Sequence, residues 1–269
     1  MITYKIKDVS KENEDVYCMC LEDWSDEMKE AGDYKQCWYE KMKDKGLGVK
    51  IAYDGEGVAG GMIQYYPIEY SPAIGKDLYF IQCIWVHGYK EGRGNFQKKG
   101  MGTALLAAAE EDVRTRGAKG IACWGVSMPF WMKASWFKKH GYIQADNEKG
   151  AVLLWKPFAE NAAPPVWRKP LKPVPAYSEE GKPLAVGFVL GVCPAMNLVF
   201  ERVRRAAEEF PGKVELRVFD TSLPEVLEEW GIADGVYIAG SQVRSGPPPS
   251  YKKVLNIMRK RIKAKRRQG

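Results

Sequence analysis

The stretch from Asp77 to Ala109 restricts the possible fold more than any other, because it reads as a strand, a glycine-rich basic loop and a helix starting on that loop. Leu78, Phe80, Ile81, Ile84, Trp85 and Val86 are β-branched, aromatic or aliphatic at a density that suits a strand covered on both faces. The run stops at Gly88, and Gln97-Lys98-Lys99-Gly100-Met101-Gly102-Thr103 follows. Behind it, Leu105, Leu106, Ala109 and Val113 are spaced to make one apolar helix face. A helix therefore begins near Gly102. Its first N–H groups lack partners within the helix and, with the helix dipole, make a site for a phosphate or pyrophosphate. The two glycines let the backbone approach such an anion.

Two phosphate motifs are excluded. No glycine is followed as Gly-x-x-x-x-Gly-Lys-Ser/Thr requires, and Gly92 and Gly94 lead to Gln97, where Gly-x-Gly-x-x-Gly needs glycine. What is left, Gln-x-x-Gly-x-Gly between a strand and a helix, resembles the acyl-CoA pyrophosphate loop of the GNAT acyltransferase superfamily. A glycine-bearing turn capped by a lysine pair is the alternative. The flanking order extends the resemblance over roughly residues 1–158. Tyr4 to Ile6 reads as a strand, 11–24 and 26–43 as two helices, and 49–53 with 58–65 as a hairpin across Asp54-Gly55, with Gly60-Gly61 as a bend. Gly120 to Val126 reads as a strand, Trp131 to Lys139 as a helix, and 142–145 with 152–155 as a closing hairpin.

The resemblance implies an α/β (α+β) GNAT fold with a splayed mixed sheet and acetyl-CoA as cofactor. The strands over 78–86 and 120–126 would part to admit pantetheine along Ile84, Trp85 and Val86, and a free N–H there would polarise the thioester carbonyl. The pyrophosphate would sit on Gln97, Lys98, Lys99, Gly100, Met101, Gly102 and Thr103, with Ser135 and Phe137 of the later helix beside the cofactor. The chain departs from the family in two places. From Val86 to Gln97 takes eleven residues, and the insertion brings Lys90 and Arg93, which would screen the CoA 3′-phosphate unless the loop is simply solvated. Phe137 stands where the family often carries a proton-donating tyrosine. Glu69, in a loop that faces the acceptor in this fold, is the side chain to test as general base, with a solvated carboxylate as the alternative. His87 is expected to face phosphate or solvent.

Residues 157–183 hold seven of the sixteen prolines and read as a connector, so the domains are expected at 1–158 and 184–269, with a linker over 159–183. Leu184 to Val192 is a strand of the buried type. After it come a helix over 197–210, a strand over 214–219, a short helix from Pro224 to Trp230, paired strands over 236–239 and 242–243, and a helix from Ser250. That order resembles thioredoxin. Cys193 sits where thioredoxins carry the first cysteine of Cys-x-x-Cys, and Met196 replaces the second, so disulfide exchange within the motif is lost. A helix start can still activate Cys193. With Gly246-Pro247-Pro248-Pro249 near the end, the whole resembles the YoaP-type two-domain acetyltransferases.

The six cysteines show no metal spacing, and no metal is expected; in reducing cytosol they would be mostly buried thiols. Neither an apolar h-region nor a run of bilayer length is present, so a cytoplasmic protein without a membrane partner is expected. Nine of the Lys and Arg lie in 252–269, more than the whole net charge of +7, so the basicity belongs to the tail. Without interleaved aromatics, that tail is not expected to bind nucleic acid. The activity implied is acetyl transfer to the primary amine of a small molecule or peptide. A CoA- or thiol-binding sensor and a thiol-handling protein using Cys193 are the alternatives. Oligomeric state is not legible.

Overall fold

The computed structural model describes residues 4–128, 131–148, 150–243 and 247–265. Lys149 of the expected closing turn, Gly246 and the basic end 266–269 lie outside them. The chain forms two compact units, Met1–Ser25 with Glu40–Arg168, and Asp26–Tyr39 with Lys169–Gly269.

In chain order the first unit contains β1 (Lys5–Asp8), α1 (Glu14–Cys18), β2 (Gly48–Tyr53), β3 (Ala59–Pro67), β4 (Ala73–Ile74), β5 (Leu78–Val86), α4 (Met101–Thr115), β6 (Gly120–Val126), α5 (Ala134–Lys139), β7 (Ile143–Glu148), β8 (Ala151–Pro157) and β9 (Val166–Trp167). Between α1 and β2 come α2 (Asp26–Lys29) and α3 (Tyr34–Met42). The expected helix over 11–24 stops at Cys18, because Cys20 and Leu21 adopt positive φ of 51° and 65°. Cys18 and Cys20 therefore do not share a helix. The helix expected over 26–43 is broken at Gly32, whose φ is 72°. The helix expected from Trp131 starts only at Ala134.

Seven strands make one sheet in the order β1-β2-β3-β5-β6-β8-β7, with β5 and β6 parallel and every other pair antiparallel. Leu105, Leu106, Ala109 and Val113 of α4 are buried against Ile63, Ile81, Ile121 and Leu154 of the sheet. Gly60 and Gly61 lie within β3, where the expected bend takes the form of a bulge. Gly60 is the extra residue where the β2–β3 register shifts, and a Cβ on either glycine would come within 2.9 Å of Met101, so they let α4 lie close. In the proline-rich stretch, β9 pairs with β4.

The second unit contains β10 (Leu184–Val189), α6 (Pro194–Glu208), β11 (Glu215–Asp220), α7 (Pro224–Trp230), β12 (Gly235–Ile238), β13 (Ser241–Val243) and α8 (Tyr251–Lys265). The sheet order is β11-β10-β12-β13, with β10 parallel to β11 and antiparallel to β12. Residues 26–39 group with this unit through α6. Buried Arg202 pairs with Glu27 at 3.0 Å and Glu30 at 3.3 Å, and Tyr34 packs edge-on against Phe200. Among the described residues no helix is long and apolar enough to cross a membrane.

Candidate acyl-carrier cleft between two parting strands

β5 and β6 pair only from Leu78↔Gly120 to Ile81↔Cys123, although β5 continues to Val86 and β6 to Val126. The cause lies on the other side of β5. Gln64 faces Cys83 and Tyr65 faces Ile81, so Gln82 is an extra residue without a partner on β3. Such a bulge bends its strand and raises the local twist. The bend falls where the pairing with β6 ends, and the two strands separate beyond it.

The opened edge of β5 is dressed by side chains. His87 N–H donates to Gly60 O at 2.9 Å, so by alternation Val86 and Ile84 turn their N–H and C=O groups toward the gap. Three successive carbonyls there take side-chain donors. Trp124 Nε1 donates to Gln82 O at 2.8 Å, Trp131 Nε1 to Ile84 O at 3.1 Å, and Gln97 Nε2 to Val86 O at 3.1 Å. Among the described residues the N–H groups of Ile84 and Val86 have no strand opposite them.

The gap leads to the start of α4. Gly100 is its N-cap, held at φ 91°, a left-handed conformation that a side chain resists, and no side chain caps the helix. The first-turn N–H groups of α4 thus face a cavity of about 670 Å³. Ile84, Trp85, Val86, Gln97, Lys98 and Gly100 line it, as do Gly102, Thr103 and Phe137. Lys98 and Lys133 bring positive charge to its wall, which together with the helix start suits an anion. Thr103 Oγ1 lies 3.1 Å from His140 Nε2. His140 Nδ1 donates to the Trp136 carbonyl at 2.8 Å, which fixes the ring beside the Thr103 hydroxyl.

The other expected site residues stand apart from the lining. Met101 is buried beneath it and can offer only its backbone. Lys99 Nζ donates to Asn95 O. Arg93 forks onto the Asp23 carboxylate, with both Nη2 contacts at 2.8 Å, and its side chain is only 17% exposed. Ser135 is exposed on α5, and Glu69 is exposed on the 3₁₀ turn Ile68–Tyr70. Cys193 belongs to the second unit, as N-cap of α6 with Pro194 behind it.

His87 is fully buried, contrary to expectation. Its Nδ1 contacts Gly94 O at 2.7 Å and its Nε2 accepts from Trp24 at 3.1 Å, so it anchors the inserted loop. Burial pushes the nearby Glu22 carboxyl up. Only Cys83 and Cys123 are buried thiols; Cys37 is exposed and Cys18, Cys20 and Cys193 are intermediate. At the vertex of the strands, burial drives the Cys123 thiol well above its ordinary value, with Glu110 adding to the effect. Sequence reasoning missed Trp131, Met132, Lys133 and Trp136 as cavity walls. Three of them precede α5 in a segment read as helix, and the aromatic content of 131–137 was the available signal.

Residues 10–142 match the acetyltransferase (GNAT) family profile. Among solved structures the chain is similar to a GNAT family acetyltransferase from Brucella melitensis in complex with acetyl-CoA (14% identity, TM-score 0.41, covering 61% of this chain and 93% of that one). It is also similar to the PaiA N-acetyltransferase from Thermoplasma acidophilum in complex with coenzyme A (12%, 0.39, 58% and 100%) and to the GNAT family N-acetyltransferase YhbS from Escherichia coli in complex with CoA (11%, 0.43, 62% and 91%). No curated protein matches the chain.

Proposed function

Residues 10–142 form a domain of the GNAT acetyltransferase family, and from that premise we propose that the protein transfers the acetyl group of acetyl-CoA to a primary amine. The observation that carries the reading is the gap between β5 and β6, closed at Ile81↔Cys123 and leading to the uncapped start of α4. The pyrophosphate lies on the first-turn amides of α4 beside Lys98. Pantetheine extends along β5 as an added strand, taking the N–H groups of Ile84 and Val86. Gln97 holds the Val86 carbonyl and so fixes the end of β5 against the loop.

The chemistry is direct attack in a ternary complex. The amine nitrogen bonds to the thioester carbon, the C–S bond breaks, CoA leaves as thiolate, and the ammonium proton is lost to solvent or to the thiolate. The chain contributes positioning and an N–H aimed at the carbonyl oxygen. Phe137 lines the cavity as an apolar ring and supplies no proton. A thiol is acidic enough, with a pKa near that of cysteine, to leave without a donor. Glu69, exposed on its turn, is the carboxylate that would relay the ammonium proton to solvent. Phe137 also favours a second reading, a CoA sensor without turnover.

The order β11-β10-β12-β13, with one parallel and two antiparallel pairings, supports a thioredoxin-like reading of the second unit. In that reading Cys193 is a single thiol at a helix start and the unit takes part in acceptor selection, while residues 159–183 connect the two halves. The test is a panel of small-molecule and peptide amines with acetyl-CoA, read as released CoA thiol. Amine-dependent release supports the transferase. CoA binding without release from any amine supports the sensor, and no CoA binding removes both.

A further inference from the structure

We propose that Trp124 sets the acyl length this cleft accepts, by plugging the gap one residue beyond the point where β5 and β6 part; the inference rests on the acyl-CoA reading above. The last paired residues are Ile81 and Cys123, both fully buried, so the vertex itself holds no space. The next residue on β6 is Trp124. Its indole reaches across to the bulged residue of β5, donating to Gln82 O at 2.8 Å. The ring stands edge-on to Trp131, with centroids 5.1 Å apart at 82°, and Trp131 is itself tied to Ile84 O.

The two indoles are therefore successive rungs across the opening, each fastened to a carbonyl. Turning either ring away would leave a part-buried acceptor without its donor. The cavity reaches Trp131 and Ile84 and goes no further: Trp124, Gln82, Ile81 and Cys123 are absent from its walls. The gap cannot widen at that level. A Cβ on Gly125 would stand 2.9 Å from the Ala134 backbone, and Val126 N–H donates to Met132 O at 2.8 Å, so β6 is pressed onto the start of α5. An acyl chain directed from the thioester toward the vertex meets the Trp131 ring first and the Trp124 ring directly behind it. Acetyl stops short of it, and longer chains need its space.

The test is calorimetric titration of the full chain with CoA, acetyl-CoA and butyryl-CoA, for the natural protein and for Trp124→Ala and Trp124→Leu. The natural protein should bind butyryl-CoA more weakly than acetyl-CoA. In Trp124→Ala the ratio of butyryl to acetyl affinity should rise roughly tenfold, the scale expected for burying two more methylenes. Trp124→Leu fills more of the site and should shift the ratio in the same direction by less; it serves also if the alanine variant does not fold. An unchanged ratio in a folded variant that still binds CoA overturns the proposal and leaves the acyl-CoA reading standing. Failure of the natural protein to bind CoA overturns both.

Discussion

The indole Nε1 of Trp131 donates a hydrogen bond of 3.1 Å to the carbonyl oxygen of Ile84, on the edge of β5 that β6 leaves uncovered. A ligand that joins β5 as an extra strand and uses that carbonyl must displace the indole. Trp131→Phe keeps a ring in place and removes the competing N–H. The variant should bind CoA about three- to tenfold more tightly, the net worth of one hydrogen bond, measured by calorimetry. Weaker binding would mean that the tryptophan holds the ligand instead of competing with it.

Arg93 and Asp23 form a fork-like ion pair that joins the inserted loop to the segment after α1. If Arg93 acts on CoA by holding that loop, Arg93→Ala and Asp23→Ala should weaken CoA binding by similar factors. If it acts on a phosphate directly, only Arg93→Ala should weaken it, and the weakening should shrink with added salt, as for a contact between exposed charges. Affinities of the two variants at low and high salt separate the cases.

In the second unit, burial pushes the Asp234 carboxyl from 3.8 up to about 7, against a smaller downward pull from the Gly235 N–H. A raised carboxyl keeps its proton in the folded chain where the unfolded chain has lost it. Its contribution to stability is whole below about pH 4 and is lost as pH rises through about 7. Asp234→Asn removes that loss, so its melting temperature relative to the natural protein should climb between pH 4 and pH 8. A constant difference over that range would contradict the assignment.

The cleft was legible in part because its elements carry strong local signals. The strand over 78–86 and the strand over 120–126 fall where residue type placed them, and the helix begins at Met101, beside the expected Gly102. That the strands part came from the family resemblance. Its cause, the bulge at Gln82, is a matter of register against β3 and leaves no mark in the residues themselves. Trp124 and Trp131 were hidden for the same reason: each reads as a packing residue until the carbonyl opposite it is known. His87 was misjudged because its burial depends on Trp24, more than sixty residues away in sequence. Nor could local pattern show that residues 26–39 pack with α6, since the Arg202 pairs with Glu27 and Glu30 are long-range.

In the proposed function the open edge of β5 and the bare start of α4 act as one binding surface. Backbone amide hydrogen exchange with and without acetyl-CoA reads that surface directly. Ile84, Val86 and the first-turn amides 101–103 should gain protection together on addition of acetyl-CoA, while the paired amides of β3 stay unchanged. Acetyl-CoA that leaves the exchange of Ile84 and Val86 unaltered would contradict the account.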